Sequence, residues 1–99
     1  MIALCDVSEV SEDEPRLVEH DGTAFAVFKR GEDYFVLADQ CTHGPGLLHE
    51  GMVMGDEIEC PFHGGRFDLK TGTPTAPPCF EPVRAWPVTI ENGKICIDP

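Results

Sequence analysis

Positive charge is scarce in this sequence. Seven Lys and Arg stand against 18 Asp and Glu in 99 residues, a formal net charge of −11. From Gly31 to Gly65 there is no Lys or Arg at all, while the same stretch carries Glu32, Asp33, Asp39, Glu50, Asp56, Glu57 and Glu59. Nucleic acids select basic patches, and anionic headgroups do the same, so neither a nucleic acid nor a membrane surface is expected as a partner. The acidity suits plain solubility as well as steered docking onto a basic protein. Long hydrophobic runs are missing too. Stretches such as Ala24–Phe28 and Phe35–Ala38 are too short to span a bilayer. The opening MIALCDVSEV has neither a basic n-region nor a long apolar h-region, so no secretory signal is expected. Five cysteines, an odd number, do not suit a full disulfide framework. A reducing cytoplasm is the expected compartment. There is no internal repeat, no low-complexity linker and no window for a long amphipathic helix. A nucleophile–base pair, a phosphate-binding loop and an open catalytic metal site are also lacking, which argues against an enzyme.

What is present reads as one small domain over residues 1–99. A chain this short folds with a thin margin, which a bound metal would widen. Ten Gly and nine Pro punctuate short apolar stretches, a pattern of strands and turns. Residues 24–29 (AFAVFK) and 34–38 (YFVLA) predict two strands joined by a turn at Arg30 to Asp33. Asn92-Gly93 between VTIE and KICI is a strong hairpin signal, because both central turn positions need positive φ. Shorter strands are expected at 2–7, 15–19, 57–60, 66–69 and 83–90, with Pro87 marking an edge or a bulge in the last. The Gly-bearing segment 41–56 and the Pro-rich segment 72–82 are expected to be mainly loop. The fold class is therefore all-β.

Two short motifs carry the chemistry: Cys41-Thr42-His43 and Cys60-Pro61-Phe62-His63, with sixteen residues between His43 and Cys60. Each supplies one thiol and one imidazole. Each is followed by glycine, Gly44 in the first and Gly64-Gly65 in the second. Two such loops can grip a binuclear cluster from either side. The glycines let backbone N–H groups approach inorganic sulfide. The alternative is a mononuclear zinc site stabilising an interaction module without redox chemistry. Common zinc fingers place both cysteines before both histidines, whereas the order here is Cys, His, Cys, His.

Cys-x-His with Cys-x-x-His at this separation resembles the Rieske motif, in which two histidines replace two cysteines on one iron of a [2Fe–2S] cluster. CTHGPG and CPFHGGRFD are similar to the cluster loops of Rieske ferredoxins from bacterial aromatic-ring-hydroxylating dioxygenase systems, and the match is strongest from Cys41 to Thr73. The resemblance implies antiparallel sheets, cluster-binding loops at about 41–48 and 60–67, and one cluster held by Cys41, His43, Cys60 and His63. Cys41 and Cys60 would bind the buried iron, and His43 and His63 the outer one. Residues 75–78 would form a proline loop over the cluster. It further implies a soluble, monomeric one-electron carrier. Its donor would be an NAD(P)H-dependent flavoprotein reductase, and its acceptor a terminal Rieske non-haem iron oxygenase acting on aromatic compounds. Two rivals stay within redox chemistry: a Rieske-like small subunit of a nitrite reductase, and a detached fragment of an oxygenase. The length, with no catalytic-domain remnant, argues against the fragment.

Departures within the Rieske class carry their own expectations. Respiratory-chain Rieske proteins have a disulfide between the cluster loops and direct a Ser and a Tyr hydroxyl at cluster sulfur. The matching positions here are Gly46 and Phe62, then Gly65 and Phe67, so neither the disulfide nor the two donors is present. Fewer donors favour the reduced cluster less, which predicts a potential toward the low end of the Rieske range, roughly −150 mV. Beyond the motifs, His20 and His49 read as ordinary surface or loop residues. Cys5, Cys79 and Cys96 read as buried small apolar groups. Trp86 and the phenylalanines are expected in the core, with Phe62 shielding the cluster, and Met52 and Met54 covering apolar surface.

Overall fold

In a computed structural model the chain is described over residues 1–42, 46–62, 64–77 and 79–99. Eleven strands are present among those residues: β1 (Ile2–Asp6), β2 (Arg16–His20), β3 (Thr23–Arg30), β4 (Asp33–Ala38), β5 (Met52–Met54), β6 (Glu57–Glu59), β7 (Arg66–Asp68), β8 (Pro74–Ala76), β9 (Ala85–Trp86), β10 (Thr89–Glu91) and β11 (Lys94–Ile97). They form three antiparallel sheets, ordered β1-β11-β10, β2-β3-β4-β9 and β5-β6-β7-β8. The expected all-β class holds, and helix among the described residues is confined to two single 3-10 turns, Val7–Glu9 and Leu48–Glu50.

The middle sheet is covered on both faces, which explains its unbroken apolar runs. Successive side chains of a strand point to opposite faces. Phe25 and Val27 of β3 face one core with Val36, Trp86, Ile95 and Ile97. Ala26 and Phe28 face the other, with Leu37, Leu48, Ile58, Phe67 and Leu69. This second core also takes in Cys41, Cys60 and Cys79, so the end that carries these thiols rests on the back of the middle sheet. Phe25 meets Trp86 edge to face, centroids 4.8 Å apart, and the Arg84 guanidinium lies 4.7 Å from the Trp86 ring.

The turns follow local chemistry. Asn92 and Gly93 both have positive φ (53° and 73°), as the β10–β11 hairpin requires. Asp21-Gly22 does the same between β2 and β3 (φ 50° and 80°), a hairpin that an Asp-Gly pair signals and the strand reading above passed over. Residues 41–56 hold more order than loop, since the 3-10 turn at Leu48 and strand β5 lie inside them. The Pro-rich segment 72–82 likewise contains β8. The expected strand over 83–90 divides into β9 and β10 around Pro87, which has no N–H to give a ladder.

Some side chains sit elsewhere than expected. Cys5 is half-buried, whereas Cys79 and Cys96 are buried. Met52 and Met54 point outward from β5 rather than covering apolar surface, with Val53 turned in between them. Phe80 is 78% exposed and Phe62 47%, so two of the six phenylalanines are outside the core, both on segments that surround the thiols.

Candidate cluster site

Three connections converge on one end of the molecule: β4 to β5, carrying Cys41; β6 to β7, carrying Cys60; and β8 to β9, carrying Cys79. The first two are built alike. The Cys41 backbone N–H donates to the Gly46 carbonyl at 2.9 Å, and the Cys60 N–H donates to the Gly65 carbonyl at 2.7 Å. Each closes a loop from its cysteine to a glycine five residues on. A bridge between Gln40 and Leu47 extends the first closure. The β6–β7 ladder, with Glu59 opposite Arg66, extends the second. The third connection is tied in by Thr42 Oγ1, which donates to the Glu81 carbonyl at 2.7 Å.

The two loops bring Cys41 and Cys60 into one buried core, 3% and 2% exposed, on either side of Gly46. Burial raises the Cys60 pKa, and the Phe62 N–H aimed at its sulfur acts in the opposite direction. Burial also pushes the neighbouring Cys79 thiol up to about 12, helped by Cys41 and Cys60 beside it. The space around the sulfurs depends on glycine. A Cβ on Gly46 would lie 2.5 Å from Cys60 Sγ and 3.1 Å from Phe62 Cδ2. One on Gly65 would run into Cys79 Sγ. Paired buried thiols, a backbone N–H pointing at sulfur and side-chain-free walls are the donor chemistry that an iron–sulfur cluster needs. His43 and His63, expected as the other two ligands, lie outside the described residues, as do Gly44, Pro45 and Pro78.

Beneath the first loop sits a feature the sequence reading missed. Asp39, 2% exposed, is the one buried charged side chain among the described residues. Its Oδ1 accepts from the His49 backbone N–H at 2.8 Å, and both carboxylate oxygens lie 2.9 Å from His49 Nδ1. Its carbonyl accepts from Leu48 N–H at 2.7 Å. His49 is therefore not an ordinary loop residue. It joins Asp39 in fixing the return from Cys41 to β5. A polar pair ten residues apart in a loop gives no periodic signal; only Asp39 at the end of an apolar strand hinted at it. His20 does lie at the surface, beside Asp21.

The negative character of the 31–65 stretch is partly offset in space. Arg30 reaches the Gly55 carbonyl at 2.7 Å and lies near Glu12 and Asp56. Arg66 lies between Glu57 and Glu59. Glu12 also accepts from Gly31 N–H, which ties the acidic run at 12–14 to the β3–β4 turn.

The chain belongs to the Rieske [2Fe–2S] domain family, whose model matches residues 1–87. A [2Fe–2S] cluster of Rieske type is accordingly its cofactor, which sets aside the zinc module. Among individual proteins, it is 41% identical to the ferredoxin component of the p-cumate 2,3-dioxygenase system of Pseudomonas putida over 99% of this chain and 85% of that one. It superposes on a Sphingomonas yanoikuyae B1 ferredoxin with a TM-score of 0.95 and 44% identity, covering 99% and 97% of the two chains. It also matches the ferredoxin in a complex of reduced oxygenase and oxidized ferredoxin of carbazole 1,9a-dioxygenase, with a TM-score of 0.87 and 37% identity over 95% of this chain and 88% of that one. These relatives are ferredoxins, electron-transfer components and not catalysts, as the sequence led one to expect. No helix among the described residues is long and apolar enough to cross a membrane.

Proposed function

We propose that this chain is a monomeric one-electron carrier. It takes electrons from an NAD(P)H-dependent flavoprotein reductase and hands them to a terminal Rieske non-haem iron oxygenase acting on aromatic compounds. The observation that carries the reading is the pair of buried thiols, Cys41 and Cys60, presented by two loops closed in the same way. In this reading Cys41 and Cys60 hold one iron of the cluster, and His43 and His63 hold the other. A cluster held by these residues would supply one-electron chemistry at a higher potential than an all-cysteine one, because neutral imidazoles would replace two thiolates.

The protein's own part is to hold and expose. Gly46 and Gly65 leave room for sulfur. The Phe62 N–H donates to Cys60 Sγ. Phe62 and Phe80 place exposed apolar surface on the segments around the thiols, where a partner's contact would exclude water and shorten the electron's path. The acidic 31–65 stretch favours a basic docking face on that partner.

An NADH-driven assay with a flavoprotein reductase and a terminal oxygenase of an aromatic dioxygenase system tests this. Aromatic oxidation is expected only when the chain is added, and the transfer rate should fall as salt rises. Iron and acid-labile sulfide assays, with EPR after dithionite reduction, should give two irons, two sulfides and a rhombic signal. Colourless protein containing zinc and no sulfide would overturn the reading.

A further inference from the structure

The few basic side chains of this acidic chain fall into two groups. Four have a carboxylate close by: Arg16 meets Glu9, Arg30 meets Glu12 and Asp56, Arg66 meets Glu57 and Glu59, and Lys94 meets Asp6, at 2.9–3.8 Å. Lys29, Lys70 and Arg84 have none that near among the described residues, and all three belong to one cleft. This cleft, of about 360 Å³, is lined by Tyr34, Phe35, Leu69, Lys70, Trp86 and Val88. Lys70 is on its wall. Lys29 Nζ lies 5.9 Å from the Tyr34 ring centre, and the Arg84 guanidinium 4.7 Å from that of Trp86. Trp86 is 7% exposed, and its Nε1 is the one buried side-chain polar atom without a partner among the described residues. Strand β4 starts at the cleft, with Asp33, and leads away from it toward Cys41. The cleft is therefore separate from the cluster site.

We propose that this cleft binds a small aromatic carboxylate. Its ring packs among Tyr34, Phe35 and Trp86, and its carboxylate accepts from Trp86 Nε1–H and faces Lys70. Three observations converge on that chemistry. Aromatic walls suit a flat ring, and the volume is at the small end of ligand pockets. A buried N–H without an acceptor is costly until one arrives. Cations without carboxylate partners favour an anion. A carboxylate has two acceptor oxygens, one for the indole and one for the ammonium. Two acids temper the attraction. The exposed Asp33 borders the cleft, and Asp68 feels the Lys70 charge. The expected dissociation constant is accordingly about 1 mM. The inference is independent of the ligand assignment under Proposed function.

The test uses the oxidised, cluster-loaded protein and benzoate as the probe. Trp86 is the sole tryptophan, so the protein has a single indole N–H resonance. Benzoate should shift it saturably in a ¹⁵N–¹H spectrum, whereas acetate (charge without ring) and benzyl alcohol (ring without charge) should not. Calorimetry then compares variants. Lys70→Gln, at an exposed position, should weaken benzoate about threefold. Trp86→Phe, which keeps a ring and drops the donor, should weaken it about tenfold. Lys94→Gln, whose lysine is already paired with Asp6, should leave it unchanged. No saturable shift up to about 50 mM benzoate would overturn the proposal. So would an equal response to acetate or to benzyl alcohol, or wild-type affinity in Lys70→Gln, a result that stands even if Trp86→Phe fails to fold.

Discussion

The two cysteine loops share a closure but not a foundation. Cys41 and Cys60 each donate their N–H to a glycine carbonyl five residues on. Below the first loop lies a buried carboxylate, Asp39, with three of its contacts going to His49. The second loop grows from a regular two-strand ladder, β6 with β7, and Asp68, at the far end of that ladder, is half-exposed with backbone partners at Lys70 and Thr71. A hairpin fixes its own ends through ladder hydrogen bonds. A connection that leaves one sheet and enters another cannot, and needs a side chain to define its course. Loop one makes that crossing, from the β2-β3-β4-β9 sheet to the β5-β6-β7-β8 sheet.

That difference makes Asp39 the costliest polar residue to remove. Asp39→Ala leaves the half-buried His49 N–H and Nδ1 without their acceptor. Hydrogen bonds to a charged group are worth ~1.5–3 kcal/mol each, so the loss expected in urea unfolding is about 3 kcal/mol, with iron released faster to a chelator. Asp39→Asn keeps the shape and one acceptor oxygen, and should lose distinctly less. A loss in Asp39→Ala no greater than that in Asp68→Ala would erase the contrast between the loops.

The glycines sharpen the comparison in a second way. Gly46→Ala sets a methyl 2.5 Å from Cys60 Sγ, a sulfur that a cluster would pin in place. Gly65→Ala sets one against Cys79 Sγ, the end of a side chain that is free of metal in the proposed ligand set. Overpacking of this kind costs about 1–3 kcal/mol. The expected outcome is that Cys79→Ala rescues Gly65→Ala and that no such partner rescues Gly46→Ala. A double-mutant cycle on thermal unfolding and iron content reads this directly. Additive effects of Gly65→Ala and Cys79→Ala would show that the two positions do not share a space.

The legible parts of this molecule were those with local signatures. The β3–β4 hairpin, the Asn92-Gly93 turn and the Cys-x-His and Cys-x-x-His motifs are each written within a few consecutive residues. Asp39–His49 and Gly65–Cys79 are not, because each joins residues ten or more apart through tertiary packing. The double-sided burial of β3 was half visible: AFAVF announces an apolar strand, but only the sheets on either side explain why neither face is polar. The exposure of Phe80 ran against its residue type. A phenylalanine in a Pro-rich stretch reads as core by composition, and its place beside the thiols becomes apparent only when the β8–β9 connection is seen to fold over them.

The smallest expected effect is a pH dependence at Asp68. The Thr71 N–H, joined by that of Lys70, holds the Asp68 carboxyl below the usual carboxylate range. Its folded pKa thus lies under its unfolded value. Such a group stabilises the fold fully above the unfolded pKa, and the contribution disappears as pH falls through the folded one. Two backbone hydrogen bonds at a partly exposed site, at 2.8 and 3.0 Å, suggest a loss of about 1 kcal/mol for Asp68→Ala at neutral pH. That difference from wild type should shrink as the pH drops below about 4. Urea unfolding of both proteins between pH 7 and pH 3 measures it. A gap that stayed constant to pH 3 would mean that Asp68 acts through packing in the turn from β7 to β8 and not through its charge. The second loop would then rest on its hairpin alone.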